Sequence, residues 1–181
     1  MGFPTFASGD VLTAADMNAV GLWLVKTQTV GTGVASVTVT DAFSSTYDNY
    51  RVTWTGGTMS ALAVLELYMG AAAAGTSYQG ARVSATTAGV STLQGMANAD
   101  RWIYAGVGST VFAIADFDIY NPQAARRTGF HSKYFEFGAS NSFGTSTGIL
   151  DNNTQYTSFT LDGNGGVTLT GGTIRVYGYR N

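Results

Sequence analysis

Residues 43–54, FSSTYDNYRVTW, run a turn rich in Ser, Thr, Asp and Asn straight into an alternating segment. At a side-chain period of two, Tyr50, Val52 and Trp54 project to one side of a strand, and Arg51, Thr53 and Thr55 to the other. One side is large and apolar, so it needs a second apolar layer to cover it, and the rest of the chain has to supply that layer. The expected fold class is therefore all-β, an antiparallel β-sandwich.

The 181 residues suffice for one domain with its own core. Charged residues make up only 11% of the chain, while 10 Tyr, 10 Phe and 3 Trp are present, which excludes the high-charge, aromatic-poor composition of disorder. With a net charge of −2 and scattered Lys and Arg, no basic patch is legible, and nucleic acid is not an expected partner. There are no cysteines, so stability has to come from burial, hydrogen bonding or association. The first ten residues have neither the basic start nor the apolar core of a signal peptide, and the most apolar run, 61–74, is interrupted by Glu66 and Gly70. Synthesis in the cytoplasm without membrane insertion is the expectation.

Residues 1–10 read as an irregular arm that carries Phe3 and Phe6, two rings costly to leave in water. Thr13 followed by Asp16 is a variant capping pattern and predicts a short helix from Ala14 toward Val20, with Met17, Val20 and Leu24 on its inner face. A helix this short is unstable alone and has to pack on something, its own domain or another chain. The domain division is thus 1–21 for arm and helix and 22–181 for the β-domain.

From residue 22 the period is two. Segments 22–29 and 34–40 flank Val30-Gly31-Thr32-Gly33 and read as a first hairpin. Segment 61–69 is apolar on both sides and reads as a central strand. Further strands are expected at 77–84, 90–96, 101–107, 110–120, 129–138, 155–161 and 172–179, with Val111, Ala113, Ala115, Phe117 and Ile119 as the core face of the longest. Residues 139–147 read as a polar loop and Asp151-Asn152-Asn153 as a turn. Turn signals about every 8–12 residues suit sandwiches and jelly rolls.

Chemistry-bearing residues are few. Gly144-Thr145-Ser146-Thr147-Gly148 matches the G-x-S-x-G hydrolase elbow, but no helical pattern follows it, and the single His, His131, precedes the Ser instead of following it. Asp116 and Asp118 point to one side of a strand, about 7 Å apart, within reach of glycosidase carboxylate spacing. The alternative is a solvated face whose charges meet Arg or Lys on a neighbouring strand. Asp151 and Asn153 have calcium-type oxygens without the spacing of a calcium loop, and His131 has no second His with which to build a metal site. No catalytic residue, metal or cofactor is expected. Tyr68, Tyr120, Tyr134, Tyr177 and Tyr179 fall on faces shared with polar residues, where they suit contact with glycans or with other subunits.

Three segments carry a resemblance. Phe6-Ala7-Ser8-Gly9-Asp10-Val11-Leu12-Thr13-Ala14-Ala15-Asp16-Met17-Asn18 resembles the N-terminal attachment segment of bacteriophage tail and fibre proteins. Residues 43–54 and Gly172-Thr173-Ile174-Arg175-Val176-Tyr177-Gly178-Tyr179 resemble the first and last parts of a jelly-roll-like domain of fibre tips and head decoration proteins. The resemblance implies a homotrimeric virion surface protein that is not an enzyme. It would be attached to tail or capsid proteins through Phe3, Phe6, Leu12, Met17 and Val20, and would display a β-domain for adhesion to a host glycan. Few residues separate helix and first strand, where long fibres have a shaft. A capsid decoration protein with a stabilising role therefore stands beside the adhesion reading, as does a carbohydrate-binding module.

Overall fold

The computed structural model describes residues 8–9, 11, 21–73, 75–136 and 141–179. The helix expected from Ala14 toward Val20, and the set Phe3, Phe6, Leu12, Met17 and Val20, lie outside the described residues. The described chain is almost entirely antiparallel β-structure. Its strands are β1 (Leu22–Thr29), β2 (Ser36–Val39), β3 (Asn49–Met59), β4 (Ala63–Met69), β5 (Tyr78–Thr86), β6 (Ser91–Ala99), β7 (Trp102–Gly108), β8 (Ala113–Tyr120), β9 (Thr128–Glu136), β10 (Ser142–Leu150), β11 (Phe159–Gly163), β12 (Leu169–Thr170) and β13 (Thr173–Tyr179). Among the described residues no helix is long and apolar enough to cross a membrane.

Alternation decides what each strand buries. In β3, Tyr50, Val52 and Trp54 are fully buried while Arg51 and Thr53 stay partly exposed. In β8, Ala113, Ala115, Phe117 and Ile119 face the core; Val111 precedes the strand and is 81% exposed. β4 runs between β11 and β7 and is buried from Leu65 to Met69, in accord with its two apolar sides.

The sheet branches at β8. One edge of β8 pairs with β3 from Asn49↔Tyr120 to Gly57↔Ala113. The other edge is divided, residues 113–115 pairing with β7 and 117–120 with β9. One arm continues β9-β10-β5-β6, the other β7-β4-β11-β2, and β13 and β1 extend beyond β3. The sheet curls, and aromatic contacts join its arms. Phe159 of β11 meets Phe117 of β8 edge-on with centroids 6.0 Å apart, and Trp102 of β7 stacks on Phe130 of β9 at 5.0 Å.

β7 departs from β8 through a bulge, where its register against β4 jumps from Gly106 to Ile103 and Tyr104 takes φ 65°. The carbonyls of Ile103 and Tyr104 accept hydrogen bonds from Ser146 Oγ and Ser132 Oγ, on β10 and β9. Small residues beneath the crossing give it room: a Cβ at Gly148 would sit 2.6 Å from Trp102 Nε1, and one at Gly144 2.6 Å from the Tyr134 hydroxyl. At the far side of β7, Arg101 donates to Glu66 of β4, to Asp162 of β11 and to Asp100, tying three strands together. Hydrogen bonding to Arg101 holds the Asp100 carboxyl below the usual range, whereas burial pushes that of Asp162 up against the pull of the same guanidinium.

Two expectations are corrected here. Segments 22–29 and 34–40 do not form a hairpin. β1 pairs with β13 and β2 with β11, because the chain between them crosses from the strands beyond β3 to the end of the β7-β4-β11-β2 arm, pinned by Val30 N to Gly172 O and by the Val34–Leu169 bridge. The polar loop expected over 139–147 ends by residue 142, where β10 begins, paired on both edges with β9 and β5. Gly144→Ala and Gly148→Ala are each expected to destabilise the fold by about 1–3 kcal/mol through overpacking. Gly95→Ala, where an added Cβ meets nothing, should stay within about 0.5 kcal/mol. Urea unfolding of the three variants checks the contrast.

Candidate functional site

Because the strands pair in register from β1 across to β6, their outward residues form rows on one broad face. One row runs Leu24, Tyr177, Arg51, Asp118, His131, Thr147. The neighbouring row places Arg175, Thr53 and Asp116 on one side and Lys133, Thr145, Val83 and Leu93 on the other. Where the rows meet at β3, β8 and β9, Arg51, Asp116, Asp118, His131 and Lys133 line a shallow depression.

The polar groups of this depression are largely spoken for. Arg51 Nη2 donates to Asp116 Oδ2 at 2.5 Å, and this bond raises the guanidinium pKa above its ordinary value. Tyr179 Oη reaches past β3 to donate to Asp118 Oδ1 at 2.6 Å. Burial first, then this hydrogen bond and the Asp118 charge, push the Tyr179 phenol up to about 12. Thr145 Oγ1 donates to Ser132 O at 2.7 Å and lies 2.9 Å from His131 Nε2. Since the hydroxyl proton is committed to the carbonyl, His131 Nε2 carries the hydrogen and donates to Thr145, which leaves Nδ1 as the free ring nitrogen. Lys133 is exposed, and its Nζ has no ion-pair partner among the described residues.

The tyrosines divide between surface and core. Tyr120, Tyr177 and Tyr179 lie partly exposed on this outer face, around Arg51 and Asp118. Tyr68 and Tyr134 do not. Tyr68 is 7% exposed, on a strand covered on both sides, with the Arg101 guanidinium 5.7 Å from its ring centre. Tyr134 is 4% exposed and packs its ring on Tyr104 at 4.7 Å. Its neighbour Ser132 made this side of β9 look polar, yet Ser132 points inward to hold the Tyr104 carbonyl.

Ser146 is 3% exposed in mid-strand and donates to Ile103 O, so the G-x-S-x-G match is a strand segment with no nucleophile elbow. Asp116 and Asp118 do share one side of β8, and Asp116 meets an arginine on the neighbouring strand. Among the described residues, no group of three or more His, Asp or Glu is placed to hold a metal ion. Asp151 instead accepts from Arg127 Nε at 2.6 Å, and the Asn152 side chain closes its own turn onto Thr154 N. Arg51, Thr145 and Thr147 are among the site residues that sequence reasoning missed. For the threonines, the alternation of Phe143, Thr145, Thr147 and Ile149 was the available signal, masked by the glycines between them.

The burial of Tyr179, with its bond to Asp118, has a pH consequence. A phenol raised above its unfolded value near 10 contributes stability that is fully present below pH 10 and lost as the pH rises toward about 12. Following the Tyr179 ring by NMR, Asp118→Asn should lower its titration midpoint, while the late titration of buried Tyr78, raised chiefly by burial, stays in place. An unmoved Tyr179 would show that burial alone sets its value. Comparison with protein-family models, with curated proteins and with solved structures finds no match to this chain.

Proposed function

We propose that this chain is a non-enzymatic structural protein of a bacteriophage virion, homotrimeric, fixed to the particle through residues 1–21 and displaying its β-domain for adhesion. The observation that carries the reading is apolar surface left over by a chain whose core is already complete. Leu93 is 80% exposed, Val83 53% and Phe143 50%, neighbours on β6, β5 and β10. Among the described residues no strand pairs with the outer edge of β6, and its residues are mostly exposed along the whole strand. Exposed apolar side chains gathered beside a strand edge are the kind of surface that association covers. The resemblance of residues 6–18 to phage attachment segments supplies the kind of assembly, and the body is read as a jelly-roll-like sandwich with a short helix ahead of it.

A second reading, a carbohydrate-binding module, is favoured by Tyr120, Tyr177 and Tyr179 standing beside Arg51 and Asp118 on the outer face. The two part on the role of the leading segment. Deleting residues 1–20 should leave the β-domain folded by circular dichroism yet abolish incorporation into particles, and normal incorporation would contradict the virion reading. In sedimentation velocity the full chain should run as a trimer, and Val83→Asp with Leu93→Asp should shift it to monomer without loss of β-structure. A monomeric wild-type chain would contradict the self-association.

A further inference from the structure

We propose that the depression formed by Arg51, Asp118, His131 and Lys133 binds a carboxylated saccharide of the uronic or sialic acid type. The inference rests on the display reading only in taking the outer face as the presented one. Asp116 is engaged by Arg51 and Asp118 by Tyr179. Thr145 donates to Ser132 O and accepts from His131 Nε2. The cation in this depression left without an ion-pair partner among the described residues is the Lys133 ammonium, which asks for an anion, while His131 Nδ1 and the second carboxylate oxygens of Asp116 and Asp118 have no hydrogen bond there and accept from hydroxyls. An anion and a hydroxyl a few ångströms apart on one ligand is the chemistry of a sugar acid.

The surroundings favour the same class. Tyr177 lies directly across from Arg51 in the β13–β3 ladder, and Tyr179 is one pair along the same face, so ring surface flanks the charged depression for the C–H side of a pyranose. The outer hydroxyl of Thr147, next to His131, already donates to Phe130 O and is left as an acceptor for ligand hydroxyls. A polyphosphate chain is disfavoured, because its several charges would meet a single cation without an ion-pair partner, beside the carboxylates of Asp116 and Asp118. A neutral sugar leaves the Lys133 ammonium without its counter-ion.

The test uses the full chain, with galacturonate trisaccharide and sialyllactose as probes and the carboxyl-reduced form of each as control. The carboxylated probes should shift the NMR signals of the His131 ring and the Lys133 side chain. Lys133→Ala should weaken binding about tenfold and Lys133→Arg should restore most of it, as expected for a charge-assisted contact. Lys26→Ala, on β1 and paired with Asp41, should change nothing. Carboxyl reduction should cost about as much as Lys133→Ala. Absence of shifts at His131 and Lys133 with both carboxylated probes would overturn the proposal, as would equal binding of the reduced forms. Particle incorporation is a separate readout, so the failure of one leaves the other standing.

Discussion

The eight residues of β8 serve two arms of one sheet, and the rest of the molecule follows from how that division is satisfied. A strand has only two hydrogen-bonding edges. β3 takes one of them, so β7 and β9 have to share the other, three residues against four. Sharing is possible only if β7 turns away at the midpoint, and it does so through the bulge at Tyr104. A carbonyl buried without a donor costs about 1–3 kcal/mol. The hydroxyls of Ser132 and Ser146 remove that cost at Tyr104 and Ile103, which explains two buried serines on otherwise well-packed strands.

The crossing of β7 also settles what the two faces can do. Trp102 enters the layer beneath it, stacked on Phe130, with its ring edge toward Tyr78 and its indole nitrogen donating to Gln79 O. The inner face of β9, β10 and β5 is consumed by this packing. The outer face is left as a broad surface on which polar and charged residues gather at β3, β8 and β9, while exposed apolar ones stand at its two ends, Leu24 on β1 and Val83 and Leu93 on β5 and β6. Recognition and association can thus be served by different parts of one face. The ion pair of Arg51 and Asp116 is about one-third exposed and adds little to stability by itself. Its effect is to occupy Asp116, so that the cation still free in the depression is Lys133.

Much of the strand content was legible because alternation is a local signal: Tyr50, Val52 and Trp54, or Ala113 through Ile119, declare their buried side within a few residues. β4 was legible as central from its two apolar sides. β10 was not, because Gly144, Ser146 and Gly148 are small in order to admit Tyr134 and Trp102, and that demand comes from strands far away in the chain. The first hairpin failed for the same kind of reason. Two alternating segments beside a Gly-rich turn look like partners, but β13 and β11 offered pairings that only the closed fold brings near. At the site, the sequence put Asp116 with Asp118 on one strand face and left His131 as a lone histidine. Joining them, and adding Arg51, Lys133 and Tyr179, needed the β13-β3-β8-β9 order. The burial of Tyr68 and Tyr134 was hidden because polar neighbours on a strand do not reveal whether their hydroxyls and charges are turned to water or to a carbonyl.

Amide hydrogen exchange across the sheet tests this account most directly, since it reports which strands open alone and which open only with the whole fold. If β8 is the strand on which both arms depend, the amides bonded between β3 and β8 should be the slowest in the molecule, exchanging only through global unfolding and at least about a hundredfold more slowly than those of the β5–β6 hairpin. Exchange at Val52 and Phe117 as fast as at Ser84 and Thr92 would mean that the arms stand independently of β8, and would contradict the account.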